Sequence, residues 1–349
     1  MTRRRATVLL VQTLFGAVLL IAWLRVVDLE EVGQALGQAR WGLVAVAAGL
    51  SVLSTFLRSL RWRLVLHPVA QPPFLDLVMI VLAANLVNFV VPLRTGEVAR
   101  SVFLKHRQGT SMAASLATIA IDRAFDLAAV LLLGACGSLL LGGLQGRALA
   151  FLVVGAILIL AFGVFASLAI WARQKQVALL AKFLPSGINL ALRERILGSA
   201  TRFLDGFSAL GSRPRILAPL LALSIAAILI DSSAFFVLLL SLGAGASPIL
   251  VIMGYSLYVL TFLIPAAPGY VGTAEAFGSL VFVGIGLPVD VASSAVLLSH
   301  ATNAVLVLAL GVIGFAGIGL RPAAAVRAVL GEKGDGKLGG TEAPAQPGP

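Results

Sequence analysis

"VPLRTGEVAR", residues 91–100, follows the apolar run "LVMIVLAANLVNFV" and sets two arginines and a glutamate at the end of a segment that otherwise reads as membrane. Pro92 stops the preceding helix, since proline lacks a backbone donor. The second piece, 96–107, predicts a helix of about 18 Å at about 1.5 Å per residue. That is too short to cross a hydrocarbon core of about 30 Å. The pattern recurs at 248–265, where an apolar run ends in "IPAAPGYVGTAEAF" and 273–286 is again too short.

The chain around these breaks is membrane-like throughout. Of 349 residues, 59% are hydrophobic and 12% charged, with a mean hydropathy of +1.02. Soluble domains use about 45–50% apolar and about 25% charged residues. Full-length apolar segments fall at 7–24, 42–57, 112–142, 148–171, 216–243 and 289–320. The basic start "MTRRR" precedes an apolar run without an A-x-A site, which reads as an uncleaved first helix. The single Cys136 forms no internal disulfide and is expected to be a small packing residue.

Loop charge decides how the breaks are counted. The net charge of +11 is not spread as nucleic-acid binding would require, so no nucleic-acid partner is expected. Arg3, Arg4 and Arg5 precede the first helix, Arg58, Arg61 and Arg63 follow the second, and 172–215 carries eight basic against two acidic residues, net +6. The stretch 25–41 is net negative, and "SLGAGAS" and "VGIGLP" are uncharged. If 75–107 dips into the membrane and returns, every basic loop lies on the cytoplasmic side, as lysine and arginine do. The same parity makes 248–287 a hairpin entering from the opposite face. Trp23, Trp41, Trp62 and Trp171 end apolar runs and are expected at the headgroup layer. Arg58, Arg61 and Arg63 are expected to snorkel to anionic lipid.

The expected fold is therefore an all-α polytopic membrane protein, with six full transmembrane helices and two re-entrant helical hairpins arranged as an inverted repeat. Its halves run from about 7–142 and 148–320, with a cytoplasmic amphipathic segment at 172–215 and a disordered tail at 321–349. Within 172–215, Leu192, Ile196, Phe203, Phe207 and Leu210 share one face of a surface helix. Both termini are cytoplasmic and the compartment is the bacterial inner membrane. The tips agree in sequence: "TGEVARS" from Thr95 matches "TAEAFGS" from Thr273 at Thr, Glu and Ser. Twenty-five residues beyond Glu97 and Glu275 stand Asp122 and His300. In secondary transporters inverted repeats place broken helices and the substrate site near the midplane.

Local chemistry fits such tips. Pro92, Gly96, Pro268, Gly269 and Gly272 break the helices. Thr95 and Thr273 are positioned to cap the next ones, with Glu97 and Glu275 in the first turn where the dipole favours negative charge. Asn88, one turn before the first break, can bond freed backbone groups or a ligand. Arg94, Glu97, Arg100, Asp122, Arg123 and Asp126 at about 2.5–3.5 kcal/mol each sum to roughly 15–20 kcal/mol at the membrane centre. They must pair, meet water or sit nearer the interface. A neutral clamp of three positive and three negative groups is one reading; a headgroup site is the other. In the second, Arg94, Arg100 and Arg123 contact phosphate, and Glu97, Asp122, Glu275 and His300 form a possible proton relay.

The stretch "NFVVPLRTGEVARSVFLKHRQGTSMAASLATIAIDRAFDL", with "SLRWRLVL" before it and "PAAPGYVGTAEAF" after it, resembles the flippase-like transmembrane domain of lysylphosphatidylglycerol synthases. The resemblance spans about 7–320 and implies movement of phospholipids or polyprenyl-linked lipids between leaflets, with anionic-headgroup lipids as partners and a lipid-synthesis enzyme as a further candidate partner. The lysyl-transfer domain of the synthases is absent from this sequence. By position the resemblance implies Asn88, Arg94, Glu97, Arg100, Asp122, Arg123, Asp126 and Glu275 as substrate-contacting residues.

Other chemistries are weakly supported. No G-x-x-x-x-G-K-[ST] stretch is present, so ATP hydrolysis by a P-loop is excluded. His67, His106 and His300 are too scattered for a metal site, and no cofactor is expected. The rival from another class is a membrane glycosyltransferase acting on polyprenyl-phosphate sugars, with Asp28, Glu30 and Glu31 of the first outside loop as its acids.

Overall fold

The computed structural model describes residues 3–91, 95–141, 189–211, 214–264 and 266–320, with isolated positions between 153 and 182. These residues are all-helical, with no strand among them. The helices are α1 (Arg3–Leu24), α2 (Leu29–Gly37), α3 (Trp41–Leu66), α4 (Phe74–Val90), α5 (Gly96–Gln108), α6 (Met112–Leu140), α7 (Leu190–Gly211), α8 (Leu217–Ser241), α9 (Pro248–Thr261), α10 (Thr273–Gly284) and α11 (Val289–Ile318). Among them α3, α8 and α11 are long and apolar enough to cross a membrane, and the apolar part of α1 meets α2 at a bend of 87°. The expected segment 148–171 and the tail 321–349 lie outside the described residues.

The two interrupted regions fold as expected from their breakers. α4 packs on α5, α9 packs on α10, and neither pair forms one continuous helix. α3 runs on to Leu66, past the expected end at 57. The reason lies in its last turns, where Arg61 and Trp62 point inward and are 1% and 0% exposed. Arg58 is also partnered inside, so the snorkelling expectation fails for Arg58 and Arg61. Arg63 alone of the three is exposed.

The tryptophans divide likewise. Trp41 is exposed at the start of α3. Trp62 donates to Thr118 Oγ1 at 3.2 Å, and Trp23 donates to Ser279 Oγ at 2.9 Å. Each buried indole has a partner for its N–H, which a core position requires. Trp171 lies outside the described residues. Cys136 is exposed on α6 rather than packed. α7 is docked rather than lying free: Leu204 and Phe203 pack with Ala117 and Ile121 of α6, while Leu192 faces out. The side chains at 207 and 210 lie outside the described set.

Packing is dominated by α3 on α8, α4 on α11, and α6 on both α9 and α7. Small residues permit the closest approaches, as in membrane helix pairs generally. A Cβ at Gly314 of α11 would fall 2.5 Å from the Ala83 nitrogen of α4, and one at Gly137 of α6 would fall 2.9 Å from Met253 Cβ of α9. The remaining contacts include α3 with α4, α6 and α11, α8 with α9, α11 and α6, α5 with α6, and α10 with α11. Exchanging α3, α4, α5, α6 for α8, α9, α10, α11 maps the contacts among these eight helices onto themselves, while those of α1, α2 and α7 lie outside the exchange. Outside the packed core, Leu14 and Val18 of α1, Leu280 of α10 and Val305 and Val312 of α11 form exposed apolar faces, as lipid-facing helices of a multi-pass membrane protein do.

Candidate functional site

The residues flanking the first break lie beside the second break. Asn88 stands near the end of α4, and its Oδ1 accepts the Gly96 N–H at 3.4 Å, so it bonds the backbone freed by the break. Its Nδ2 donates to the hydroxyl of Tyr270 at 3.0 Å, which ties the first tip to the second. Gly96 is needed for this closeness, since a Cβ there would lie 2.6 Å from Asn88 Cβ. Pro92 and Arg94 lie outside the described residues.

The second tip turns through left-handed backbone. Gly269, Tyr270 and Gly272 have φ of 68°, 60° and 81°. Such a φ at a bulky residue costs about 1–3 kcal/mol, so the surrounding contacts hold Tyr270 there. A Cβ at Gly272 would fall 1.9 Å from the Gly16 carbonyl oxygen of α1. The expected caps are corrected here. Thr95 donates back to the Val91 carbonyl at 3.4 Å, and Thr273 donates to the Tyr270 carbonyl at 2.8 Å. Glu275 does the capping instead, its Oε2 accepting the Gly272 N–H at 2.8 Å. Thr273 is the first residue of α10, already inside the helix, so its hydroxyl reaches backward rather than forward. Glu97 and Glu275 do stand in first turns.

Between the tips lies a cavity of about 330 Å³. Its charged lining is Arg58, Glu97, Arg100, Arg123, Asp231 and His300. Behind them Arg61, 1% exposed, bonds Asp122 Oδ1 at 2.7 Å, Asp126 Oδ1 at 2.6 Å and Ser224 Oγ at 2.7 Å. Arg58 joins Asp126 at 2.6 Å to Asp231 at 2.7 Å, bridging α6 and α8 from α3. These charge-assisted contacts are short and strong. They saturate Asp126 and leave Arg58 and Arg61 committed.

Two arginines are held more loosely. Arg100, buried over the Trp62 ring at 5.5 Å, reaches Asp122 Oδ2 only at 3.7 Å. The Arg123 side chain, 41% exposed, lies 3.5 Å from Glu97 and 3.2 Å from Asp126. Both present donors to the cavity. The lining is also aromatic, with Tyr255, Tyr258, Phe262 and Tyr270. Across from the cluster, His300 Nδ1 meets Glu275 Oε1 at 2.5 Å and Nε2 meets the Gly269 carbonyl at 2.7 Å.

The structure thus brings Asn88, Glu97, Arg100 and Arg123 to one cavity, with Asp122 and Asp126 behind it. Glu275 reaches the cavity through His300 and does not line it. Asp231 and the three tyrosines are not among the residues expected from the sequence, and Arg58 stands at the cavity and Arg61 behind it rather than in the expected headgroup layer. A lone aspartate in the apolar α8 was a readable signal, since an unpaired charge there is costly.

The family model of the lysylphosphatidylglycerol synthase TM region matches residues 7–311. The chain belongs to this family. Two relatives of this lysylphosphatidylglycerol synthase TM-region chain are distant in sequence. A "UPF0104 membrane protein" of Methanothermobacter thermautotrophicus is 26% identical over 266 residues, covering 71% of this chain and 76% of that one. "Glycosyltransferase AglD" of Haloferax volcanii is 28% identical over 317 residues, covering 81% of this chain and 50% of its own length. The family match takes in both tips and the whole charge cluster, from Arg58 to His300.

Proposed function

We propose that the protein moves a lipid with an anionic head group, a phospholipid or a polyprenyl-linked lipid, between the leaflets of the bacterial inner membrane without hydrolysing ATP. The observation that carries the reading is the polar cavity at the meeting of two helix breaks. Irregular backbone and charge persist at membrane depth only where protein or a wet cavity satisfies them. Arg100 and Arg123 supply donors to phosphate, and Arg94, at the tip in sequence, is the third contact. Glu97, Asp122 and Asp126 balance them. Glu275 and His300, with Glu97 and Asp122, are the candidate proton relay.

The proposed architecture is six spans and two re-entrant hairpins in an inverted repeat, with both termini cytoplasmic. The helix contacts that map onto themselves under exchange of halves support it. So does the paired chemistry of the tips: the first-turn Glu97 faces Arg123 of the following helix, and the first-turn Glu275 faces His300 of its own. An inverted pair of halves gives two equivalent arrangements around one cavity, which is what alternating access requires.

The name of the Haloferax relative favours a second reading, a glycosyltransferase with Asp28, Glu30 and Glu31 as its acids. Asp28 Oδ1 accepts the Glu30 and Glu31 N–H groups at 2.9 and 3.2 Å, which is the work of a helix cap. Alanine replacement of the three acids, set against Arg94→Gln and Glu97→Gln, separates the readings. Transport should survive the first set and fail in the second. Loss of glycosyl transfer in the first set alone would favour the enzyme.

A further inference from the structure

A narrow groove of about 50 Å³ opens from the central cavity between α3, α4 and α11. The two are continuous, sharing Ser51, Thr55, Asn85, Asn303 and Val307 in their linings. Polarity changes along the groove. Its cavity end carries the two asparagines and two hydroxyls; its far end is Val52, Leu82, Leu306 and Leu310. The hydroxyls of Ser51 and Thr55 donate to carbonyls of their own helix at 3.1 Å each, so their lone pairs remain to accept.

The asparagines are the unexplained groups. Asn85 is half-buried on α4 and Asn303 is exposed on α11, both helices otherwise apolar. Neither amide has a hydrogen-bond partner among the described residues. Both amides line the polar cavity, where their donors and acceptors are open to a ligand. Both stand where the polar cavity gives way to the apolar groove, where the polar linkage of a seated lipid would lie. The far side is closed by tight packing, since a Cβ at Gly311 would fall 2.4 Å from Leu86 Cβ.

We propose that this groove is a side portal that seats the first few carbons of one hydrocarbon chain of the lipid whose head group occupies the cavity, with Asn85 and Asn303 bonding the linkage between head and chain. The inference rests on the transport reading above. One chain is specified because the α4–α11 contact bounds the groove on one side.

The test uses the full-length protein in phosphatidylglycerol vesicles containing a phosphatidylglycerol with a diazirine in one acyl chain, and a fluorescent phosphatidylglycerol to follow leaflet exchange. Photo-adducts are mapped at Leu306 and Leu310 in the groove and at Val305 and Val312, which are 66% and 59% exposed on the outer face. Val307→Trp plugs the junction. Adducts in the groove should fall roughly tenfold, the loss of about 1.4 kcal/mol of occupancy, while outer-face adducts stay constant. Asn303→Leu keeps the branching and heavy-atom count of the side chain and suits a membrane helix, so it should fold normally and slow lipid movement roughly tenfold, as one lost polar contact does. Unchanged groove labelling in Val307→Trp, or wild-type labelling and movement in a folded Asn303→Leu, would overturn the portal. Groove adducts that the plug removes, in a wild-type protein that moves no lipid, would support the portal and refute transport.

Discussion

His300 holds Glu275 with one ring nitrogen and the Gly269 carbonyl with the other. A carbonyl only accepts, so Nε2 carries a hydrogen. The contact between Nδ1 and Glu275 Oε1 then holds one proton, whichever atom it sits on. Glu275→Gln can keep both bonds, accepting from Gly272 and donating to Nδ1, so stability should change little. Transport should fall if this proton moves during the cycle. His300→Ala strands a buried carboxylate and should cost about 3–5 kcal/mol, read as a lowered melting temperature in detergent.

Arg61 is the structural member of the cluster. It is 1% exposed and serves both Asp122 and Asp126. Arg61→Met leaves two carboxylates short of a partner, at about 3–5 kcal/mol. Little monodisperse protein should be recovered. Adding Asp122→Asn to that variant removes one stranded charge and should recover part of the loss, measured by size-exclusion yield.

Gly272 tests the fit of α1 on the second tip. Gly272→Ala brings a Cβ 1.9 Å from the Gly16 carbonyl oxygen at a φ of 81°. Overlap of this kind costs about 1–3 kcal/mol before any backbone strain. Gly243 has a similar φ of 73° with nothing within 4 Å of an added Cβ. Gly243→Ala should therefore lower the melting temperature less than Gly272→Ala.

The proposed orientation predicts thiol accessibility. With Cys136 removed, single cysteines at Gln34 and Gly245 should react with an impermeant reagent from outside intact cells. One at Gln174 should react only after lysis. Outside labelling at 174 would break the charge parity and the inverted repeat that rests on it.

Much of this was legible because the breakers are local. Pro92, Gly96, Pro268, Gly269 and Gly272 mark both interruptions, and the expected helix ends nearby fall within a few residues of the observed ones. The run from Arg94 to Asp126 was legible as a cost that had to be met. Arg58 and Arg61 were not, because position near the end of an apolar run reads the same for an arginine reaching lipid headgroups and one reaching an aspartate. The Arg58 partner Asp231 is 173 residues away in the chain, a pairing that only the packing of α3 on α8 creates. The aromatic lining escaped for the same reason, since Tyr255 and Tyr258 sit at ordinary core spacing on α9.

The central claim is lipid movement through the charged cavity, and the direct measurement is leaflet exchange of fluorescent phosphatidylglycerol in ATP-free liposomes containing wild-type protein or Arg94→Gln. Wild-type vesicles should expose the inner-leaflet label to a membrane-impermeant quencher, and folded Arg94→Gln at equal density should behave as protein-free vesicles do. Wild-type vesicles indistinguishable from protein-free ones, or Arg94→Gln exchanging lipid at the wild-type rate, would contradict the account.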